Sequence, residues 1–80
     1  MIVSLYTTLG CHLCDDALAL LRQLHGQGLA MEIKEVEIIE SEVLMSTYGV
    51  RIPVITSDCS EGDIGWPFSL EELRLFLDKK

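Results

Sequence analysis

Eighty residues with 49% hydrophobic content suit one domain spanning residues 1–80, in which folding buries only about 60% of the unfolded surface. Three cysteines cannot all pair within the chain and are too few for a disulfide-built secreted scaffold, so a reducing, cytoplasmic compartment is expected. The net charge of −7, with Lys79-Lys80 as the only adjacent basic pair, excludes a nucleic-acid backbone as partner, and the absence of a signal-like start or of a roughly 18-residue apolar run argues against a membrane.

Ile2 to Tyr6 is a β-rich run that predicts a strand, and Thr7 to Gly10 reads as a turn. The motif Gly10-Cys11-His12-Leu13-Cys14 follows, and Cys14, Ala17, Leu18, Leu21 and Leu24 then recur at helical spacing. This predicts a helix from about Cys11 to His25, stopped at Gly26-Gln27-Gly28, where a glycine suits a left-handed cap. Met31 to Ile38 alternates as a strand, with a slip at Lys34-Glu35 that implies a bulge or a late start. Ser41 to Tyr48 reads as a short helix with Ser41 as cap and Gly49 as stop.

The segment Gly49 to Ile55 is extended, because the residue before Pro53 is pushed out of the helical region. Thr56 to Gly62 is turn-rich and links a hairpin into a strand over Asp63 to Trp66. Ser69-Leu70-Glu71-Glu72 forms a capping box, with Phe68 and Leu73 placed as a hydrophobic staple. In the last helix Leu70, Leu73, Phe76 and Leu77 face inward. The order βαβαββα predicts an α/β three-layer sandwich whose mixed four-stranded sheet is flanked by three helices. Both βα crossovers are expected to give parallel pairs, and the final ββ pair an antiparallel one. Most of the acidic residues, in Glu32 to Glu42 and Glu61 to Glu72, read as solvated surface.

Chemistry concentrates at Cys11, which falls at a helix start. Unpaired backbone N–H groups and the positive end of the macrodipole there favour a thiolate, the nucleophile of disulfide exchange. Cys11 projects toward solvent as the attacking sulfur, and Cys14, one turn in and covered, is the resolving one. A helix terminus contributes roughly 0.3–2 kcal/mol to the thiolate. Asp15 and Asp16 oppose it, each by on the order of 1 kcal/mol at roughly 8 Å and an effective dielectric near 40. His12, beside the dithiol, offsets them when protonated. The direction of the Cys11 pKa shift is left open by these competing charges.

With these elements placed, the chain resembles the thioredoxin superfamily and, within it, the glutaredoxins. The resemblance rests on Tyr6-Thr7-Thr8, Cys11-His12-Leu13-Cys14, the Ile52-Pro53 step and the closing helix. It is similar to short bacterial glutaredoxin-like proteins, which share the Gly-Cys-His-Leu-Cys start and a Trp-Pro-Phe step, here Trp66-Pro67-Phe68. The resemblance implies a thioredoxin fold with a cis bond before Pro53. That bond presents the Ile52 carbonyl and amide to an incoming extended chain and fills space a metal would need beside the dithiol. It also implies a thiol–disulfide oxidoreductase in which Cys11 attacks a substrate disulfide and Cys14 or glutathione resolves the mixed disulfide.

The implied partner is a disulfide-bearing protein or a glutathione mixed disulfide. The chain is expected to be a monomer with no tightly bound cofactor, and the resemblance leaves open whether glutathione serves as a co-substrate. Some residues depart from the glutaredoxin pattern of Pro-Tyr between the cysteines, a lysine before them and a Gly-Gly step after the fourth strand. The counterparts here are His12-Leu13, Thr8 and Gly65-Trp66. The resemblance leaves Arg51 to replace the lysine, and the Ser69-Leu70 amides to hold a second carboxylate.

By topology Trp66 and Pro67 land beside Pro53, where Trp66 either floors a groove or closes the core. Tyr6 and Tyr48 read as packing residues, and His25 as a helix-end residue without a catalytic role. Cys59 falls in the distal hairpin as a bystander or a glutathionylation site. The alternatives are a redox-inert module that keeps the fold and a metal or iron–sulfur module. Copper(I) or zinc carriers place two strands in a row after the first helix, which this order does not, and a zinc site lacks a second ligand pair. An iron–sulfur cluster shared between two subunits stays open.

Overall fold

A computed structural model describes residues 1–78, so the Lys79-Lys80 pair lies outside the described residues. The β-rich start of the chain forms β1 (Ile2–Thr7), followed by α1 (His12–Gly26), β2 (Glu32–Glu37) and α2 (Glu42–Tyr48). The chain continues through β3 (Val54–Ser57), β4 (Ile64–Gly65) and α3 (Leu70–Leu77). The strands form one sheet in the order β2-β1-β3-β4. This is the α/β architecture of the thioredoxin fold.

Helix α1 is amphipathic, and Cys14, Ala17, Leu21 and Leu24 on its inner stripe are buried. Of these, Ala17, Leu21 and Leu24 pack with Val3 and Leu5 of β1, Ile55 of β3, Phe68, and Leu73 and Leu77 of α3. Each fully buried Val, Leu or Ile among them contributes roughly 1.5–3 kcal/mol. The helix ends as a Schellman motif. The Leu29 N–H donates to Leu24 O and the Gly28 N–H to His25 O, each at 3.1 Å, while Gly28 takes φ 104°. Of the two expected glycines only the second is the left-handed residue, and Gly26 remains helical.

Side chains alternate across β1, so Ser4 and Tyr6 face away from α1. Tyr6 stacks on Tyr48 of α2 at 4.4 Å between ring centroids, which sets α2 on that second face and completes the three layers. Both tyrosines serve as the packing residues expected of them.

Strand β2 pairs parallel with β1 without interruption from Ile2↔Glu32 to Thr7↔Glu37, so no bulge forms at Lys34-Glu35. Both residues are exposed because β2 is an edge strand, and the slip in alternation reflects that exposure. The second crossover departs from expectation, since β3 runs antiparallel to β1 and not parallel. Helix α2 has seven residues and covers about 10 Å, whereas a six-residue strand covers about 20 Å. Such a helix cannot carry the chain back to the far end of the sheet. The chain therefore turns round where β2 finishes, and β3 starts at that end. β4 is antiparallel to β3, as expected, but shorter than Asp63 to Trp66.

Candidate active site

The β1–α1 turn builds the site. After Thr7 the chain turns through Gly10, at φ 79°, and Cys11 adopts an extended conformation as the N-cap of α1. The Cys11 N–H donates to Thr8 O at 3.3 Å, and Cys11 Sγ accepts the Cys14 N–H at 3.2 Å. A sulfur thus satisfies one of the amide donors that a helix start leaves free. Cys11 and Cys14 are joined as a disulfide, with their Cα atoms 5.3 Å apart. Cys14 is 3% exposed and Cys11 is only half-buried, so Cys11 is the sulfur within reach of solvent.

The Tyr6↔Val54 pairing sets Pro53 beside Thr7, at the sheet end from which the Cys11 turn leaves. The Ile52–Pro53 bond is cis, as the resemblance implies, and Trp66–Pro67 is a second cis bond. Pro53 is buried and Ile52 half-buried, but the Ile52 N–H, expected to face an incoming chain, instead donates to Tyr48 O at 3.0 Å at the end of α2. The Trp66 N–H donates to Pro53 O at 3.0 Å, while its ring meets Phe68 edge-on at 5.0 Å. Trp66 therefore closes the core through Phe68 and continues the β3–β4 ladder through its backbone.

Of the anion-binding groups expected around this end, the Arg51 guanidinium and the Ser69 amide already have partners. Arg51 forms an ion pair with Asp63 in which both carboxylate oxygens accept from its guanidinium. The guanidinium lies against Gly65, where a Cβ would come within 3.3 Å of Nη2. Its hydrogen bond holds the Asp63 carboxyl below the usual carboxylate range, against the opposing effect of burial. Tyr48 is close enough to feel both charges, although burial is the chief cause that raises its phenol, with Tyr6 next. The Ser69 N–H donates to Glu72 Oε1 at 3.0 Å, and Ser69 Oγ accepts the Glu72 N–H at 3.1 Å. That is the capping box read from the sequence, and it occupies the Ser69 amide.

Thr8, Cys11 and His12 come together in a surface depression of about 410 Å3, lined also by Thr7, Leu9, Gly10, Asp15, Glu35 and Glu37. Arg51, Ile52, Pro53, Trp66 and Ser69 do not line it. Glu35 and Glu37, which composition places with the solvated surface, thus line the depression beside Cys11. Their signal lies in β2 alternation, which turns both toward the side of the sheet that bears Ile33, at the end where Glu37 pairs with Thr7. Among the described residues no three His, Cys, Asp or Glu side chains converge as a metal site.

Cys59 is free and exposed, beside Asp58, whose N–H donates to Ile2 O at 3.1 Å. It therefore sits at the opposite end of β1 from Cys11, about 20 Å away. A hydrogen bond with the Asp58 side chain pushes the Cys59 thiol above its ordinary value, with desolvation and the Asp58 charge adding to it. His25 lies exposed in the last turn of α1.

Comparison with known proteins agrees with this geometry. The chain is similar to the X. campestris protein XcR50. The X-ray structure of that protein is 36% identical over 95% of each chain, with a TM-score of 0.81. Its solution structure is 35% identical, covers 98% of this chain and 94% of that one, and has a TM-score of 0.76. No curated protein matches the chain. The family described as Glutaredoxin-like domain matches residues 2–78, and with the Cys11–Cys14 pair at the mouth of α1 and the thioredoxin topology around it, the chain belongs to this glutaredoxin-like family.

Proposed function

We propose that this protein is a thiol–disulfide oxidoreductase working by dithiol–disulfide exchange at Cys11 and Cys14. The observation that carries the reading is the asymmetry of the pair, with one sulfur at a helix N-terminus and open to solvent, and its neighbour buried behind it. In the reduced protein the same Cys14 N–H faces a Cys11 thiolate, and a hydrogen bond to a charged acceptor is about twice as strong as one between neutral groups. The helix dipole favours the same form. Cys11 attacks the partner disulfide, and Cys14 then displaces the partner from the mixed disulfide. The two sulfurs carry both electrons, so the exchange needs no tightly bound group.

The partner in this reading is a disulfide-bearing protein, and the chain works as a cytoplasmic monomer. No helix among the described residues is long and apolar enough to cross a membrane. In this reading the Ile52 carbonyl is the backbone group turned to an extended partner, since the Ile52 N–H donates to Tyr48 O and Pro53 O accepts the Trp66 N–H, each at 3.0 Å, and His12 and Thr8 frame Cys11 from the other side.

The test uses reduced protein and a neutral disulfide, 2-hydroxyethyl disulfide. The wild type is expected to release two thiols per chain and regain its own disulfide. Cys11→Ser is expected to be inactive, and Cys14→Ser to stop as a mixed disulfide at Cys11, seen as an added mass. A wild type that releases no thiol, or an adduct found only at Cys14, overturns the reading.

A further inference from the structure

The chain's own carboxylates engage the Arg51 guanidinium and the Ser69 amide at the active-site end. Asp63 engages Arg51 through both oxygens, and Glu72 accepts from the Ser69 amide. On the other flank of Cys11 the depression is walled by Asp15, Glu35 and Glu37, with His12 and no lysine or arginine in its lining. Lys34 is on the opposite face of β2 by alternation. Glu37 Oε1 accepts the Ile39 N–H at 3.1 Å, and the three carboxylates do not converge to chelate a metal. They act instead as a negative field beside the sulfur. Two exposed apolar side chains flank Cys11, with Leu9 88% and Leu13 47% exposed.

We infer that this site selects cationic disulfides. The partner it fits is a polypeptide whose reacting cysteine is flanked by lysine or arginine, with an apolar side chain to lay against Leu9 and Leu13. Anionic disulfides, that of glutathione included, are disfavoured. The inference rests on the oxidoreductase reading and adds the charge of the substrate.

The Cys11 thiolate bonds to one partner sulfur, the partner S–S bond breaks, and one partner thiolate leaves. The Cys14 thiolate then bonds to Cys11 Sγ and expels the second. The protein loses two electrons and the partner gains them, while the protons released from Cys11 and Cys14 pass to the departing thiolates. A cation on the partner is drawn in beside Asp15, Glu35 and Glu37 as this happens, and an anion is repelled.

Reduced full-length protein is mixed with cystamine, 2-hydroxyethyl disulfide and 3,3′-dithiodipropionate, which carry positive, no and negative charge. Each rate is divided by that of free dithiothreitol with the same disulfide, so that intrinsic reactivity cancels. The normalised rates are expected to fall from cationic through neutral to anionic, spanning about tenfold at low salt. The span should shrink toward one in 1 M salt, where screening acts within about 3 Å. The Glu35→Gln/Glu37→Gln double variant should lower the cationic-to-anionic ratio about threefold, and Asp63→Asn, which frees Arg51, should raise the rate with dithiodipropionate. Normalised wild-type rates that ignore charge, or that peak with dithiodipropionate, overturn the inference and leave the oxidoreductase reading standing. No reaction with any of the three overturns both.

Discussion

At the start of α1 the capping acceptor is a sulfur, where most helices use an oxygen, and the residue after Thr8, Leu9 and Gly10 is thereby tied into the helix it begins. That role could be read from the sequence, because a Cys-X-X-Cys between a strand and an apolar 3.6-residue period has one natural position. The partner of Arg51 was not legible. Asp63 is twelve residues away across a turn of undefined shape, and nothing in local spacing brings the two together. Its consequence is measurable. The Asp63 pKa is lowered on folding by its bond to Arg51, so the pair stabilises the protein fully above the unfolded carboxylate value near 3.8. That contribution is lost as pH falls through the lower folded value. Thermal melts of Asp63→Asn should lie about 1–5 °C below wild type at pH 7, the range typical of exposed ion pairs in small domains. The two melts should converge once pH falls below the lowered folded value.

Among the elements, α1 and α3 were legible almost to the residue, since each combines a cap with an inner apolar stripe. Ser69→Ala removes the Ser69 Oγ acceptor from the Glu72 N–H and is expected to cost about 1 kcal/mol in urea unfolding. Leu21→Ala, at the centre of the buried α1 stripe, should cost about 2–5 kcal/mol with little change in denaturant slope. A Leu21→Ala midpoint as high as that of Ser69→Ala would show the core to be organised elsewhere. The direction of β3 was less accessible. It depends on the reach of α2 compared with the length of β2, and pattern reading identifies a helix without asking how far it carries the chain. That one reversal matters most for the site, because antiparallel β3 begins at the end where β1 delivers Cys11 and so brings Pro53 alongside.

For the molecule as a whole, composition announced a small acidic domain, but the total charge hid its distribution. Asp15, Glu35 and Glu37 gather around one depression only after the parallel β1–β2 pairing is made, whereas Asp63 and Glu72 are spent on internal partners. Sedimentation at high protein concentration is expected to show a single species of the 9.0 kDa chain mass, and a concentration-dependent dimer would contradict this. The sheet's two borders bear on the same question. On one side Glu32, Lys34 and Glu35 are all exposed along β2. On the other, β4 has two residues and gives way to a proline that has no N–H to donate. Both rims are poor templates for a stray polypeptide, so heated or crowded samples should resist seeding into fibres even while the Cys11 sulfur stays open to solvent.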